Sequence, residues 1–278
     1  MDVFNEISFK TSKLITKKYS TSFSIAVSFL PTEMQQAIYS IYGFVRFADE
    51  IVDTFHTINK KLVLDNFERD YYDAMTNGIS MNPVLNSFAL TVKKYNIPTH
   101  LIDSFLKSMK ADLNKQVYSN TEELNEYIYG SADVVGLMCL KIFVNGDEKL
   151  YNELQFPAKK LGSAFQKVNF LRDLKSDIEN LDRRYFPEVT KENFSDKLKK
   201  EIVADIQKDF ADAYVGIRKL PKEAKLPVVI AYYYYLRLLK KTKNTPANEL
   251  ITKRIRVSDA KKTILLVKSY LACKYRLV

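Results

Sequence analysis

Two pairs of aspartates, each separated by one helical turn, are the residues of this sequence best suited to chemistry. Asp173 and Asp177 lie in the stretch from Phe165 to Asp177, which lacks proline and glycine. At ~100° per residue they share an arc of roughly 80° with the amides of Gln166 and Asn169. Carboxylates one turn apart repel each other, and a divalent cation with oxygen ligands would relieve that repulsion. A solvated helix face would give the same pattern.

The second pair, Asp49 and Asp53, ends a segment from Ile38 to Asp53 that also has helical periodicity. Tyr42 and Arg46 fall within an arc of roughly 60° together with these acids. Two helices that both carry Asp-x-x-x-Asp predict two halves of one magnesium site, because Mg²⁺ usually binds a few carboxylates plus substrate phosphates. Mn²⁺ is the expected substitute. The predicted ligands are Asp49, Asp53, Asn169, Asp173 and Asp177.

The elements that position these motifs are predicted to be helices. The chain has 278 residues, of which 46% are hydrophobic, with 7 glycines and 8 prolines spread along it. Strand-like alternation is scarce, and no linker or repeat marks a boundary. We therefore expect an all-α protein with a single domain over residues 1–278. The first helix is predicted from Phe4 to about Ser22. The 2 cysteines are interpreted as small buried thiols, with a disulfide left open.

The two motifs resemble those of the squalene and phytoene synthase family. The first is Asp49-x-x-x-Asp53 within Tyr-Gly-Phe-Val-Arg-Phe-Ala-Asp-Glu-Ile-Val-Asp, and the second is Gln166-x-x-Asn169-x-x-Arg172-Asp173-x-x-x-Asp177. The resemblance runs from Tyr19 to the basic segment near Arg254, and it is strongest to bacterial phytoene synthases. It implies a helical bundle of the isoprenoid synthase type with a central cavity.

The resemblance also implies roles for individual residues. The four aspartates, Arg46 and Tyr185 are expected to be catalytic. Tyr185 lies in a segment similar to the family's Arg-x-Tyr-x-Pro. The roles of Arg183 and Arg184 in that segment stay open. Serine caps, plain helix packing and a solvated helix end are competing explanations for several of the binding residues. The expected substrate-binding residues are Ser20, Ser22, Phe23, Val27, Tyr42, Tyr129, Val134, Gly136, Gln166, Asn169, Arg172 and Arg256.

The activity that the resemblance implies is the Mg²⁺-dependent, head-to-head condensation of two geranylgeranyl diphosphates. The product would be phytoene, formed through a cyclopropyl diphosphate (prephytoene diphosphate) on the way to carotenoids, with no NADPH needed. The alternative is a farnesyl diphosphate-using dehydrosqualene or squalene synthase. A non-catalytic assembly factor is a third hypothesis, disfavoured because all four aspartates are present. Val27 leaves room that phenylalanine would fill, which favours the twenty-carbon substrate.

The net charge of +10 has three explanations: nucleic acid, an anionic membrane surface, or diphosphate substrates. No nucleic-acid module is recognisable, so none is expected as a partner, and no specific protein partner is inferred. The longest apolar run noted, Val228 to Leu236, is far shorter than the ~20 residues of a membrane span. The start of the chain lacks the features of a signal peptide. The sequence thus predicts a cytoplasmic protein, with association at a membrane surface as a further expectation.

Overall fold

Helices make up most of the structure, and several of them end or begin at proline, glycine or asparagine. The computed structural model describes residues 1–55, 57–180, 183–190, 193–275 and 278. In these ranges there is no β-strand, only an isolated bridge between Val117 and Arg184, so the predicted all-α class is confirmed. The helices are α1 Asp2–Tyr19, α2 Thr21–Val27, α3 Thr32–Asp53, α4 Lys60–Asn77, α5 Pro83–Lys94, α6 Thr99–Asp112, α7 Thr121–Ile128, α8 Val134–Val144, α9 Glu148–Asn180, α10 Asp196–Ile217, α11 Lys222–Asn244, α12 Ala247–Leu250 and α13 Asp259–Lys274.

Local capping signals account for the boundaries of α4 and α5. The Asn59 side chain accepts a hydrogen bond from the Leu62 amide, and the Asn82 side chain caps α5, whose first residue is Pro83. Gly78 ends α4 with a φ of 81°, a left-handed conformation that glycine adopts without steric cost.

The predicted first helix, Phe4 to Ser22, is wrong at its end. The helix stops at Tyr19, and Ser20 has φ −145° and ψ 88°. The Ser20 amide donates to the Thr16 carbonyl at 2.8 Å, and its own carbonyl accepts from the Ser24 amide at 3.0 Å. Ser20 therefore closes α1 and opens α2, and helical spacing holds only from Thr21 onward. Phe23 and Val27 remain one turn apart on α2.

The longest helix, α9, carries the second aspartate motif near its C-terminal end. Its 33 residues extend about 50 Å. It packs against α8, α10 and α11. Buried ion pairs join it to α10, where Lys167 Nζ donates to Asp209 Oδ2 at 2.7 Å and Lys160 Nζ donates to Asp209 Oδ1 at 2.8 Å. These contacts fix the helix that positions half of the candidate site.

Glycines let the backbones of neighbouring helices approach closely around a π-helical turn, Tyr129–Asp133, between α7 and α8. A Cβ on Gly130 would lie 2.7 Å from the Ser104 carbonyl of α6. A Cβ on Gly136 would lie 3.0 Å from the Ala158 carbonyl of α9, and one on Gly162 would lie 2.8 Å from the Ala132 carbonyl. These glycines therefore serve close packing between helices.

One continuous helical stretch, Thr121–Val144, has the length and composition of a membrane span among the described residues. Of its most apolar window, 67% is buried inside the protein, so it serves as a core element of this bundle. The sequence analysis overlooked this stretch. Cys139 and Cys273 are both free, which excludes the disulfide, and burial raises the pKa of the Cys139 thiol to about 12. The single-domain assignment stays a prediction.

Candidate active site

A cavity of about 1560 Å³ lies between α2, α3, α8, α9 and α11. It is larger than the roughly 300–1,000 Å³ of common small-molecule sites. Along α9 its wall runs from Leu154 to Arg172, roughly 27 Å at about 1.5 Å per residue. The wall residues recur every three or four positions, so one face of α9 lines the cavity, apolar at Leu154 and polar at Asn169 and Arg172. The cavity is therefore a long apolar space with one charged end.

The first aspartate pair lies at the C-terminal end of α3. Burial, and then the neighbouring charge of Asp53, raise the pKa of Asp49 to about 7, against the opposing effect of Arg46. Asp53 has a counterion, since Arg183 Nη1 donates to its Oδ1 at 2.8 Å. One carboxylate of the pair is thus neutralised by an arginine, while Asp49 has no ion pair in the described ranges of the chain.

The second pair has the same division on α9. Arg172 donates to both oxygens of Asp173, at 3.0 and 2.5 Å, and Arg254 adds a contact of 2.6 Å. Asp177 has no ion pair within the residues that the structure describes. Burial, and then the charge of Asp173, raise the pKa of Asp177 to about 8.

Arg183 joins the two pairs. Its backbone amide donates to the Asp177 carbonyl at 2.8 Å, while its guanidinium reaches Asp53 on α3. The charge of Asp53 also contributes to the raised pKa of Asp177, so the two aspartate pairs interact electrostatically across the site. Arg183 is buried and Arg184 is exposed, because the backbone alternates where it pairs with Gln116 and Tyr118. The roles that the sequence left open are therefore divided, with only Arg183 facing the site.

Asp112, at the end of α6, is a site residue that is not among those predicted from the sequence. Burial raises its pKa to about 7, and the charge of Arg183 opposes that shift. Its Oδ2 accepts from the Tyr127 hydroxyl at 2.8 Å, while its Oδ1 has no partner in the described structure. The Arg183 guanidinium donates to the Asp112 backbone carbonyl at 3.1 Å. No sequence motif marks Asp112, because its partner is 71 residues away.

The donor set of the two pairs fits magnesium. No three acidic, histidine or cysteine side chains within the described ranges form a compact ligand group by themselves. Mg²⁺ does not need such a group, because it keeps several waters and uses substrate phosphates as ligands. Within the described residues neither Asp49 nor Asp177 has an ion pair, and each lies near a second carboxylate. Their oxygens would therefore gain most from a bound cation. The predicted ligand Asn169 lies on α9 one turn before Asp173, with its Oδ1 accepting from the Tyr235 hydroxyl at 3.3 Å.

The charged end of the cavity also has unused donors. Arg46 donates to Glu50, and its guanidinium lies 4.3 Å from the centre of the Tyr19 ring. Its buried Nε has no partner in the described part of the chain. A diphosphate oxygen would satisfy that donor. Arg172, Arg254 and Arg256 line the same end.

Most of the predicted substrate-binding residues lie on the cavity wall. Phe23 of α2 stacks on Tyr42 of α3, with ring centres 5.3 Å apart, and Val27 is 2% exposed one turn further along. Gln166 lies within 3.5 Å of the Ser131 hydroxyl. The predicted residues that line the cavity are Ser20, Ser22, Phe23, Val27, Tyr42, Arg46, Gly136, Gln166, Asn169, Arg172 and Arg256.

Three predicted residues are placed elsewhere. Val134 is fully buried in the core, and its neighbour Val135 lines the cavity instead, because one helical step turns the side chain by ~100°. Tyr129 packs at the π-helical turn and does not line the cavity. Tyr185 is buried and stacks on Phe170 with ring centres 3.9 Å apart. Tyr185 thus supports α9 from behind the site, near Arg183.

The run Tyr232 to Tyr235 on α11 is divided between the core and the cavity. Tyr232 is buried against Phe210. Tyr234 and Tyr235 line the cavity, and Tyr235 stacks on Phe165 with ring centres 3.9 Å apart. These rings add aromatic faces beside Asn169. The sequence held no signal for them, because which tyrosine faces inward depends on how α11 packs.

The four aspartates are not on the cavity wall itself; Asp173 contacts Arg172 and Arg254, which are. An all-α bundle with two aspartate pairs beside the arginine-lined end of a long apolar cavity has the isoprenoid synthase type of fold. A crystal structure of a dehydrosqualene synthase superimposes with a TM-score of 0.82 at 22% identity, covering 98% of each chain. A squalene synthase from Alicyclobacillus acidocaldarius has a TM-score of 0.76 at 21% identity, covering 88% of this chain and 97% of the other. These likenesses show the fold.

The chain belongs to the squalene/phytoene synthase family, whose model matches residues 16–261. It is 28% identical over 275 residues to phytoene synthase 1 of Solanum lycopersicum, covering 92% of this chain. It is 27% identical over 207 residues to a 4,4'-diapophytoene synthase of Staphylococcus haemolyticus, covering 73% of this chain and 69% of the relative. The chain spans 66% of the length of the tomato protein.

Proposed function

We propose that the protein condenses two prenyl diphosphates head to head, with geranylgeranyl diphosphate as substrate and phytoene as product. The observation that carries this proposal is that the two aspartate pairs lie beside the arginine-lined end of an apolar cavity far larger than one small ligand needs. Family membership supports the reaction class. The relatives include both phytoene and 4,4'-diapophytoene synthases, so they support the twenty-carbon and the fifteen-carbon substrate alike.

The chain's own residues can perform each part of this chemistry. Asp49, Asp53, Asp173 and Asp177 would hold Mg²⁺, with Mn²⁺ as a substitute, and the metal supplies positive charge that stabilises the departing diphosphate. Arg46 offers its unpaired Nε to a diphosphate oxygen.

Once the diphosphate leaves, the allylic carbon carries positive charge. Tyr42, Phe165 and Tyr235 present aromatic faces at this end of the cavity, and such faces stabilise a cation. The apolar wall excludes water, which would otherwise capture the cation. The second prenyl diphosphate would bind in the same cavity, where its double bond attacks the cation and loss of a proton closes the ring of the cyclopropyl diphosphate. That intermediate then loses its own diphosphate, and the resulting cation rearranges and loses a second proton to give phytoene.

The length of the cavity supports the longer substrate. An extended twenty-carbon prenyl chain measures roughly 18 Å, if three chain bonds span about 3.5 Å as in an extended backbone. The α9 wall of roughly 27 Å exceeds this length. We infer that Val27, buried on the α2 wall, helps set the limit for chain length.

The direct experiment incubates the purified protein and Mg²⁺ with farnesyl or geranylgeranyl diphosphate, each with and without NADPH. Extracted hydrocarbons are identified by mass spectrometry. We expect phytoene from geranylgeranyl diphosphate without NADPH. A thirty-carbon product alone would favour the farnesyl diphosphate alternative, and no hydrocarbon from either substrate would favour a non-catalytic role.

The change Val27→Phe tests the assignment of chain length. Overfilling a packed site costs about 1–3 kcal/mol, so we expect the ratio of forty- to thirty-carbon product to fall about tenfold. Both substrates are supplied at equal concentration and the products are quantified together. Val215→Phe, the same substitution at a 59% exposed position of α10 outside the cavity wall, is the matched control. An unchanged ratio in Val27→Phe would show that Val27 does not set the length.

A further inference from the structure

The last described helix, α13, has an apolar face that no other described element covers. Ile264 is 66% exposed, Val267 53%, Leu271 42% and Tyr275 65%. At ~100° per residue, these four positions fall within an arc of roughly 80°. Together with Tyr233 of α11, three of them form a shallow apolar groove. An apolar patch exposed to this degree marks an interaction surface.

Lysines flank this apolar face on both sides. On the helical wheel Lys268 lies at one edge of the arc and Lys274 at the other. Lys268 Nζ is 5.0 Å from the centre of the Tyr233 ring, and Lys274 Nζ is 6.0 Å from the centre of the Tyr275 ring. The ammonium groups of Lys268 and Lys274 therefore border the apolar face, where they would meet the surface of a partner that the apolar side chains enter. A strip of apolar residues bordered by lysines is the pattern of a helix that lies in a membrane interface.

The opposite side of α13 belongs to the cavity. Leu265 and Leu266 line the cavity wall, so one helix separates the substrate space from the exposed apolar face. On the proposed function, the product of this cavity is an oil that water does not dissolve. An outlet beside a lipid surface would spare that product any passage through water.

We propose that α13 docks the protein on a membrane that carries negatively charged lipid headgroups, with the apolar face inserted and the flanking lysines on the headgroups. The charge pattern decides between a membrane and a second copy of this chain. In a two-fold dimer through α13, Lys268 and Lys274 would approach their own copies at the edge of the interface, and like charges would oppose association. An anionic lipid surface attracts the same lysines, and the net charge of +10 acts in the same direction.

The test is flotation of the full chain with vesicles of phosphatidylcholine, either alone or mixed with phosphatidylserine. A double variant, Ile264→Asp with Leu271→Asp, removes the apolar contact, and we expect it to lower binding to both vesicle types at least tenfold. A second double variant, Lys268→Gln with Lys274→Gln, should weaken binding to the anionic vesicles roughly 25-fold, at about fivefold for each lysine near the surface. The same lysine variant should leave the weak binding to phosphatidylcholine nearly unchanged.

Leu62→Asp on α4 is the matched control, because Leu62 is 56% exposed on a helix that also carries Asp65 and Glu68. It should bind vesicles as the parent does. Circular dichroism and the melting temperature establish that each variant is folded. Parent-like binding by the Ile264→Asp, Leu271→Asp variant, or an equal loss in Leu62→Asp, would overturn the proposal. A dimer in light scattering that this variant abolishes, without vesicle binding by the parent, would assign the face to a second copy and overturn it as well.

Flotation needs no substrate, so its result is independent of catalysis. Hydrocarbon formation from detergent-dispersed substrate is measured in parallel, and the substituted side chains lie outside the cavity wall. Loss of vesicle binding with normal turnover supports docking through α13. Vesicle binding by a protein that forms no hydrocarbon would leave docking in place and count only against the proposed reaction.

Discussion

The aspartate pairs of α3 and α9 differ in which member an arginine neutralises. On α3 the second aspartate, Asp53, contacts Arg183, while Asp49 has a raised pKa and no arginine in contact. On α9 the first aspartate, Asp173, contacts Arg172 and Arg254, while Asp177 has the raised pKa. Within the described residues, each helix thus presents one carboxylate paired with an arginine and one without an ion pair. The same Asp-x-x-x-Asp spacing therefore places its two carboxylates in different electrostatic environments.

The largest expected effect is on turnover. Alanine at any of Asp49, Asp53, Asp173 or Asp177 removes oxygen that would hold the metal and the diphosphate, so we expect the rate to fall at least a thousandfold, on the order of 4 kcal/mol. Hydrocarbon formation is measured at saturating Mg²⁺, and circular dichroism monitors the helical fold. Full activity in excess EDTA, or in Asp49→Ala or Asp173→Ala, would contradict the metal-binding role of the pairs.

The second largest expected effect is a loss of stability that distinguishes Arg183 from Arg184. Arg183→Ala leaves Asp53 unpaired and the buried Asp112 carbonyl without its donor, so we expect the free energy of unfolding to fall by about 2–3 kcal/mol, less than for a fully buried pair because Asp53 is partly exposed. The exposed Arg184 serves as the control, and Arg184→Ala should change stability by less than about 0.5 kcal/mol. Urea titration measures both. Equal losses in the two variants would show that the inward position of Arg183 has no special weight.

The third effect is a dependence of stability on pH in the presence of a chelator. Burial raises the pKa to about 7 for Asp49, Asp112 and Asp133, and to about 8 for Asp177, against an ordinary value of 3.8. Between these values the folded protein binds more protons than the unfolded chain, so the free energy of unfolding falls as pH rises from about 4 to 8. We expect a loss on the order of 2 kcal/mol between pH 5.5 and 8.5, because partial exposure screens much of the shift.

Added Mg²⁺ should reverse this trend, because the cation binds the deprotonated carboxylates and stabilises the folded state by mass action. Melting temperature against pH, with and without Mg²⁺, measures both effects. A metal-free protein that becomes more stable as pH rises through 7 would contradict the environments assigned to these four carboxyl groups.

The smallest expected effect, again on stability, tests whether the two aspartates of each pair differ. In a chelator at pH 8, Asp49→Asn and Asp177→Asn remove a charge that has no counterion, so each should raise the free energy of unfolding by about 1 kcal/mol. Asp53→Asn and Asp173→Asn deprive an arginine of its partner and should lower it by about 1 kcal/mol. Thermal melts of the four variants reveal the sign. The same sign in all four would show that the two members of each pair do not differ.

The parts of the fold and site that depend on nearby sequence could be predicted. The caps at Asn59 and Asn82, the turn at Gly78 and the two aspartate motifs all follow from spacing of a few residues. The break at Ser20 escaped prediction, since no proline or glycine marks it and serine is only moderately unfavourable within a helix. Such a break is stabilised by how α2 packs on α3 and α11.

The residues that complete the site could not be predicted, because their partners are distant in the chain. Arg183 lies 130 residues from Asp53, and Tyr235 lies 66 residues from Asn169. Asp112 belongs to the site because α6 ends beside Arg183, which no local pattern indicates. Val134 and Val135 show the same limit at the scale of one residue, since only the packing of α8 decides which of them reaches the cavity.

The glycine contacts between α8, the π-helical turn and α9 have a mechanical consequence. At Gly136 and Gly162 one backbone lies directly against another, with no layer of side chains between them that could rotate or compress. This side of the cavity is therefore stiff. In the proposed reaction two identical prenyl chains become one longer product, so any change in the shape of the cavity would occur on the opposite side, where the seven-residue α2 and the long α11 meet across side chains. We expect amide hydrogen exchange to be slower at the helix contacts of Gly130, Gly136 and Gly162 than along α2, because backbone packs on backbone there and α2 packs through side chains.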